Sequence, residues 1–279
     1  MKKIKIIALG VLAFITIAST VFVSCTKRTT NTESNVDETL SMIQRLKSNY
    51  TLNTSDLAYK QKSFFDFACD DIMGAGAGIA WGSVAGPFGS FCGGVSLGCY
   101  MSVRDYDGMV VPNPVNPTEK LRTISNNPFD YLGYIHNKTL KAILDNHSAY
   151  MTNKSLDISK YYNFTYTYFK TFPEFSKYNL QQSTLITYYK NISSIYTGNF
   201  SEGCTNLNIR NLITLNSKNI LIEFWTVIKS INSNTDRIKY YKDFVNVINA
   251  STLSENEKRI ILGTSSVGIY SVLFNSANV

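Results

Sequence analysis

Apolar residues follow two rhythms along this chain, and the change between them organises the rest of the reading. From residue 6 to residue 23 they form one apolar run; beyond residue 35 most fall at the three-and-four spacing of a helix with one buried face. Val36, Leu40, Ile43 and Leu46 predict a short helix. Asp56 is placed to cap a second, which starts at Leu57 and carries Tyr59, Phe64, Phe65 and Phe67. Asn127-Pro128, with Asp130 in the first turn, predicts a helix over 128–148 that buries Phe129, Leu132, Leu140, Ile143 and Leu144. Helical spacing returns over 181–196, 217–231 and 236–248. Ser254-Glu255-Asn256-Glu257 is a capping-box pattern that opens a last helix, with a stripe of Ile260, Ile261, Val267, Tyr270 and Val272. Residues 157–172 stay open between helix and strand, because their Thr and aromatic residues favour strand locally. No internal repeat is visible, and the expected fold class is mainly α.

Residues 72–103 break the pattern, for they contain no charged residue until Arg104. Gly74, Gly78, Gly82 and Gly86 fall at intervals of four, and Ser90, Gly94 and Gly98 continue the interval. On a helix this makes a smooth face that another backbone can approach closely. Each glycine disfavours an isolated helix by about 1 kcal/mol relative to alanine, so the run needs close packing or an apolar environment. Gly86-Pro87 marks a break. The expectation is a helical hairpin, arms 60–85 and 88–103, packed through glycine-zipper faces. Spacing leaves three readings open: a hairpin buried in the domain, a membrane-inserting or pore-forming hairpin, and a backbone-lined ligand groove. The second resembles the small-xxx-small segments of glycine-zipper proteins and of some bacteriocins, and the charged flanks Asp70, Asp71, Arg104 and Asp105 suit it. Burial is favoured because each arm is shorter than the roughly 20 residues that span a bilayer. No lysine follows the glycines as a phosphate-binding loop requires.

Val111-Pro112-Asn113-Pro114-Val115-Asn116-Pro117 blocks regular structure and makes residues 105–127 the best linker. The chain then divides into N-terminal helices with the Gly-rich hairpin, 36–104, and a helical C-terminal domain, 128–279.

The first apolar run has a different use. Lys2, Lys3 and Lys5 precede it, and Ser24-Cys25 and the polar Thr26-Lys27-Arg28-Thr29-Thr30 follow. A positive start, an apolar middle and a small residue at the end make a secretory signal. Phe22-Val23-Ser24-Cys25 resembles the lipobox of bacterial lipoproteins, in a variant similar to those of Bacteroidetes. The resemblance implies that 1–24 is a signal peptide and that Cys25 is lipidated and becomes the N-terminus. Residues 25–35 then form a tether, and the membrane is a partner through the lipid. The alternatives are an uncleaved anchor, for which the run is just long enough, and plain secretion. All three place the remainder outside the cytoplasm. The basic residues after Cys25 tilt the expected location to the periplasmic side of an outer membrane.

Charge and cysteines narrow the chemistry. The net charge is +7, but Lys2, Lys3 and Lys5 leave with the signal and the rest is scattered, so no basic block fits a nucleic acid. If Cys25 carries lipid, Cys69, Cys92, Cys99 and Cys204 remain, enough for two disulfides in three connectivities. A link from Cys69 to Cys92 or Cys99 across the hairpin is preferred; buried thiols are the competing reading. No Cys-x-x-Cys pair occurs and there are two histidines, so no metal or other cofactor is expected. His136 and His147 lie about 16 Å apart along one helix and cannot share a metal. His136 falls on the apolar face, as a hydrogen-bonded core histidine does. No nucleophile elbow, zincin motif or carboxylate pair is present, and Glu174, Glu202 and Glu223 are isolated. Tyr161, Tyr162, Tyr166, Tyr168 and Phe169 read as core packing before they read as a sugar-stacking patch. Two stretches, Asn127-Pro-Phe-Asp-Tyr-Leu-Gly-Tyr-Ile-His-Asn137 and Leu253-Ser-Glu-Asn-Glu-Lys258 leading to Ser266-Val-Gly-Ile-Tyr-Ser271, resemble segments of uncharacterised exported Bacteroidetes proteins with a Gly/Ala-rich run. That resemblance implies no activity. The expected protein is non-enzymatic, a structural or binding component of the envelope with a possible envelope protein partner. The alternative is a membrane-active toxin or bacteriocin-like effector.

Overall fold

A computed structural model describes residues 32–50, 58–82, 93–95, 97–100, 126–146, 150–152, 155–173, 183, 187 and 199–276. The fold is mainly α. In chain order the helices are α1 Thr32–Lys47, α2 Ala58–Gly82, α3 Tyr131–Asp145, α4 Ile158–Phe169, α5 Phe200–Ile209, α6 Leu215–Ser230, α7 Asn234–Ala250 and α8 Glu255–Ser276. A two-residue antiparallel pair, β1 Met151–Thr152 and β2 Ser155–Leu156, precedes α4 with Met151 opposite Leu156.

Two helices form the centre. Residues 68–80 of α2 and 260–273 of α8 are buried at every position, and the two make the most extensive helix contact among the described residues. A helix buried all round has no solvated polar face: small and aliphatic residues dominate both there, and polar ones such as Asp71 and Ser271 bond to each other inside the core. Around them stand helices with one buried face. α6 turns Ile220, Leu221, Phe224 and Ile228 inward, and α7 turns Tyr240, Phe244, Val245 and Ile248 inward. α1 lies on α6 and α7 through Ile43, with Lys47 3.3 Å from Glu223.

Local signals set the ends. Thr214 Oγ1 accepts from Ser217 N at the start of α6, and Ser233 Oγ from Asp236 N at the start of α7. The expected capping box opens α8: Ser254 N donates to Glu257 Oε2 at 3.0 Å, and Glu257 N to Ser254 Oγ at 3.3 Å.

Several expectations change. The segment 157–172, where residue types favoured strand, is the helix α4; Asp157 Oδ1 accepts from Ser159 N and Lys160 N, and Tyr161, Tyr162, Thr165 and Phe169 face the core. The helix α5, capped by Asn199, was not anticipated. In the segment 181–196 only Ser183 and Thr187 are described, and both are helical. Asn127 does not cap α3 directly. Its Oδ1 accepts from Phe129 N at 2.8 Å, a turn follows, and the helix begins at Tyr131. The signal peptide, Cys25, His147 and the linker up to residue 125 lie outside the described residues, and residues 32–35, expected in the tether, are the first turn of α1 instead. The two sides of that linker share one hydrophobic core, because Ile72 and Ile79 of α2 belong to the same cluster as Leu132, Phe224 and Val267.

Candidate functional site

The glycine interval positions the site. Residues 93–95 and 97–100 are helical and run antiparallel to α2. A Cβ on Gly74 would collide with the backbone of Leu97 and Gly98, and one on Gly78 with the backbone of Gly93 and Gly94. Gly94 in turn lies against Ile79, with a Cβ there 2.6 Å from Ile79 Cγ1. The arms therefore meet backbone to backbone, as the zipper spacing implies. Gly82 ends α2, and Gly86 lies outside the described residues.

Gly98 has a second neighbour, which leads to the chemistry. A Cβ there would lie 3.0 Å from His136 Cδ2 and 3.1 Å from Nε2. The absent side chain makes room for an imidazole between the hairpin and α3. His136 Nε2 is 3.3 Å from Asp71 Oδ1, and both side chains have 0% exposure. The other carboxylate oxygen of Asp71 accepts from Ser271 Oγ of α8. The His136 Nδ1 lies 3.2 Å from Asn137 Oδ1. That amide is oriented by its other end, since Asn137 Nδ2 donates to the Tyr270 carbonyl at 2.8 Å. Cys99 closes the group, its thiol donating to the His136 carbonyl at 3.5 Å.

Both ring nitrogens thus face oxygen acceptors, an arrangement suited to the doubly protonated ring. Burial works against the cation; the neighbouring Cys99 sulfur and Asp71 carboxylate outweigh it and hold His136 well above the usual histidine range. Burial pushes the Cys99 thiol up, and the neighbouring His136 pulls it the other way. Cys99, His136 and Asp71 carry the residue types of a nucleophilic triad, with the thiol donating to the His136 carbonyl and the carboxylate beside Nε2.

A second cluster lies on the same seam, at the start of α3. Asp130 accepts from Tyr241 OH at 3.0 Å and from Tyr270 OH at 2.8 Å. Asn127 Nδ2 donates to Tyr241 OH at 2.8 Å and to the Leu262 carbonyl at 2.9 Å. Ser266 Oγ donates to the Asp130 carbonyl and accepts from Gly133 N, each at 3.1 Å. Gly133 lets α3 approach α8 this closely, since a Cβ would lie 2.5 Å from Tyr270 Cδ2. Burial, with Asp130 beside it, raises Tyr241 well above the usual phenol range.

Asn127, Asp130, Gly133, His136 and Asn137 therefore line one edge of α3, and Leu262, Ser266, Tyr270 and Ser271 line the facing edge of α8. The sequence placed His136 correctly on the apolar face. It took Asp71 for a charged flank of the glycine run and missed Asn137, Asp130 and the serines of α8. The available signal was polar residues at helical spacing inside apolar stripes.

The cysteines correct an expectation. Cys99 and Cys204 are buried, free thiols, so the expected Cys69–Cys99 bridge is not formed. Its geometry conflicts with the seam, because Cys99 points to α3. Cys92, the other expected partner of Cys69, lies outside the described residues. Burial pushes Cys204 up as well, with a further rise from Cys69 nearby. Among the described residues no cluster of three His, Cys, Asp or Glu could hold a metal, and no helix is long and apolar enough to cross a membrane. Compared with protein-family models, curated proteins and solved structures, the chain matches none.

Proposed function

We propose that this chain is a lipid-anchored, exported envelope protein of the Bacteroidetes type, with a non-enzymatic structural or binding role. Its lipid is carried by Cys25, and its place is the periplasmic side of the outer membrane, where it meets an envelope protein partner. The observation that carries the non-enzymatic part is the seam: its one histidine has both nitrogens turned to acceptors and no exposed surface. The glycine hairpin supports the same reading. Its glycines are matched to specific backbone neighbours within the domain, and residues 68–80 of α2 are buried throughout. A buried polar cluster of this kind favours one packing of the helices and offers no surface to a substrate.

Membrane partitioning of residues 26–279, made without the signal and Cys25, tests the reading. Soluble, monodisperse protein is expected, with the lipid as sole anchor. Protein that needs detergent or leaks liposomes would overturn it in favour of the membrane-active effector, with residues 72–103 as the inserting element.

A further inference from the structure

Two cysteines stand on facing stripes of α2 and α5. Cys69, Met73 and Gly76 follow one another at helical spacing along one buried stripe of α2. Gly203, Cys204 and Leu207 are buried on α5. The two stripes meet at two points. A Cβ on Gly203 would lie 2.4 Å from Met73 Cε and 2.8 Å from its Sδ, and one on Gly76 would lie 3.9 Å from Leu207 Cδ1. Gly203 therefore lets α5 come close to α2 at the position just before Cys204. Cys69 stands one turn from Met73 on the same stripe. Burial raises the Cys204 thiol, and Cys69 raises it further, so the two sulfurs lie within electrostatic reach of each other. Cys69 is 6% exposed and Cys204 1%. Cys99 belongs to a different contact, its thiol turned to the His136 carbonyl.

We infer that Cys69 and Cys204 are joined by a disulfide in the exported chain. The inference rests on the export reading, because structural disulfides form and persist in oxidising compartments. The structure shows Cys204 as a thiol, the form that precedes oxidation. The oxidant is an exported protein of the class that carries an exchangeable disulfide. One cysteine thiolate of the chain attacks that disulfide, a mixed disulfide forms, and one oxidant sulfur leaves as a thiolate. The other cysteine thiolate then attacks the chain's own sulfur in the mixed disulfide, the Cys69–Cys204 bond forms, and the second oxidant sulfur leaves. Two electrons pass from the chain to the oxidant, and the protons released by the chain's thiols balance those taken up by the oxidant as it becomes a dithiol. Burial sets the order of events. Neither sulfur can be reached in the packed core, so the exchange precedes the docking of α5 on α2, and the finished bond is shielded from reductants. The bond ties the Gly-rich hairpin directly to the C-terminal half and closes a long loop, the case in which a cross-link restricts the unfolded chain most.

The test uses the full chain, made with its own signal in a diderm bacterium. Thiols are blocked in the intact cells with N-ethylmaleimide, and the chain is purified in detergent without reductant, digested and read by mass spectrometry. A peptide pair joined through Cys69 and Cys204 and split by reduction is expected. Reduction before urea titration should raise the wild-type unfolding constant on the order of a hundredfold. It should leave Cys69→Ala and Cys204→Ala unchanged, a difference that lost packing alone does not produce. A wild type as insensitive to reductant as the two variants overturns the proposal. Cell fractionation separates the disulfide from the export reading. Cys69 and Cys204 recovered as thiols in a chain located outside the cytoplasm, or Cys69 joined to Cys92, overturn the disulfide alone. Thiols in a chain retained in the cytoplasm overturn the export reading and the disulfide with it.

Discussion

Taking an imidazolium and a carboxylate out of water costs several kcal/mol for each ion, and their attraction does little more than offset it. The Asp71–His136 contact is therefore a poor source of net stability and a strong constraint on which packing is allowed. Removing one partner leaves the other charge buried alone. Asp71→Asn should lower unfolding stability by about 3–5 kcal/mol in urea titration. The double variant Asp71→Asn/His136→Leu should cost clearly less than the two single costs together. A wild-type midpoint for Asp71→Asn would sink the ion pair. The pH dependence has a definite sign. His136 is raised above its unfolded value near 6.5, so its contribution is complete below that pH and is lost as pH climbs toward the folded pKa. Cys99 is raised as well, so its loss begins above its own ordinary value and runs the same way. The urea midpoint should fall steadily from about pH 6.5 upward, and His136→Gln should remove the first part of the fall. Rising stability over that range would contradict the charge assignment. Much of this was half-legible: His136 on an apolar stripe announced a core histidine. Its counter-ion, 65 positions earlier in the chain, could be found only once α2 and α3 were packed together.

At the scale of elements, the glycines separate into those that carry an approach and those that do not. Gly74 and Gly78 have backbone where a Cβ would go. Backbone in an antiparallel partner cannot yield as a side chain does, so Gly74→Ala and Gly78→Ala should each destabilise by about 1–3 kcal/mol or more. Gly76 lies off that interval. A Cβ there would meet Thr264 Cγ2 at 3.5 Å, an ordinary contact. Gly76→Ala should be neutral or stabilising by up to about 1 kcal/mol, because alanine is the better helix former. Thermal melts of the three variants check the order, and equal losses at all three would show that the interval has no special role. This contrast was visible in the four-residue spacing alone, since a helix repeats near that interval. The helix α4 was not visible. Its Tyr, Phe and Thr residues favour strand locally, but burying Tyr161, Tyr162, Thr165 and Phe169 on one face requires a helical period. α5 was missed because its ten residues bury only Phe200, Gly203, Cys204 and Leu207, too short a stripe to stand out.

At the scale of the molecule, the prolines in 111–117 predict a linker, yet composition does not say whether its flanks bury each other. They do: residues 68–80 of α2 are buried at every position, and α8, from the far end of the chain, supplies the matching buried helix. Small residues make this possible: Gly263 and Gly268 of α8 admit Ile79 and Ile72 of α2. A hairpin so enclosed has no separate core, and its unfolding should not precede that of the helices around it. The chain's two tryptophans report on the two sides of the linker, Trp81 in α2 and Trp225 in α6. In the single-tryptophan variants Trp225→Phe and Trp81→Phe, urea unfolding followed by fluorescence and by far-ultraviolet circular dichroism should show one coincident transition. Each substitution can shift its own midpoint, so the comparison is made between the two probes within one variant. In Trp225→Phe, fluorescence from Trp81 that changes well before the helical signal would mean that the hairpin leaves the core while the rest stays folded. That result would support the two-domain division and give the membrane-active reading the mobile element it requires. Coincidence in both variants would tie the hairpin, the seam and the outer helices into one cooperative unit.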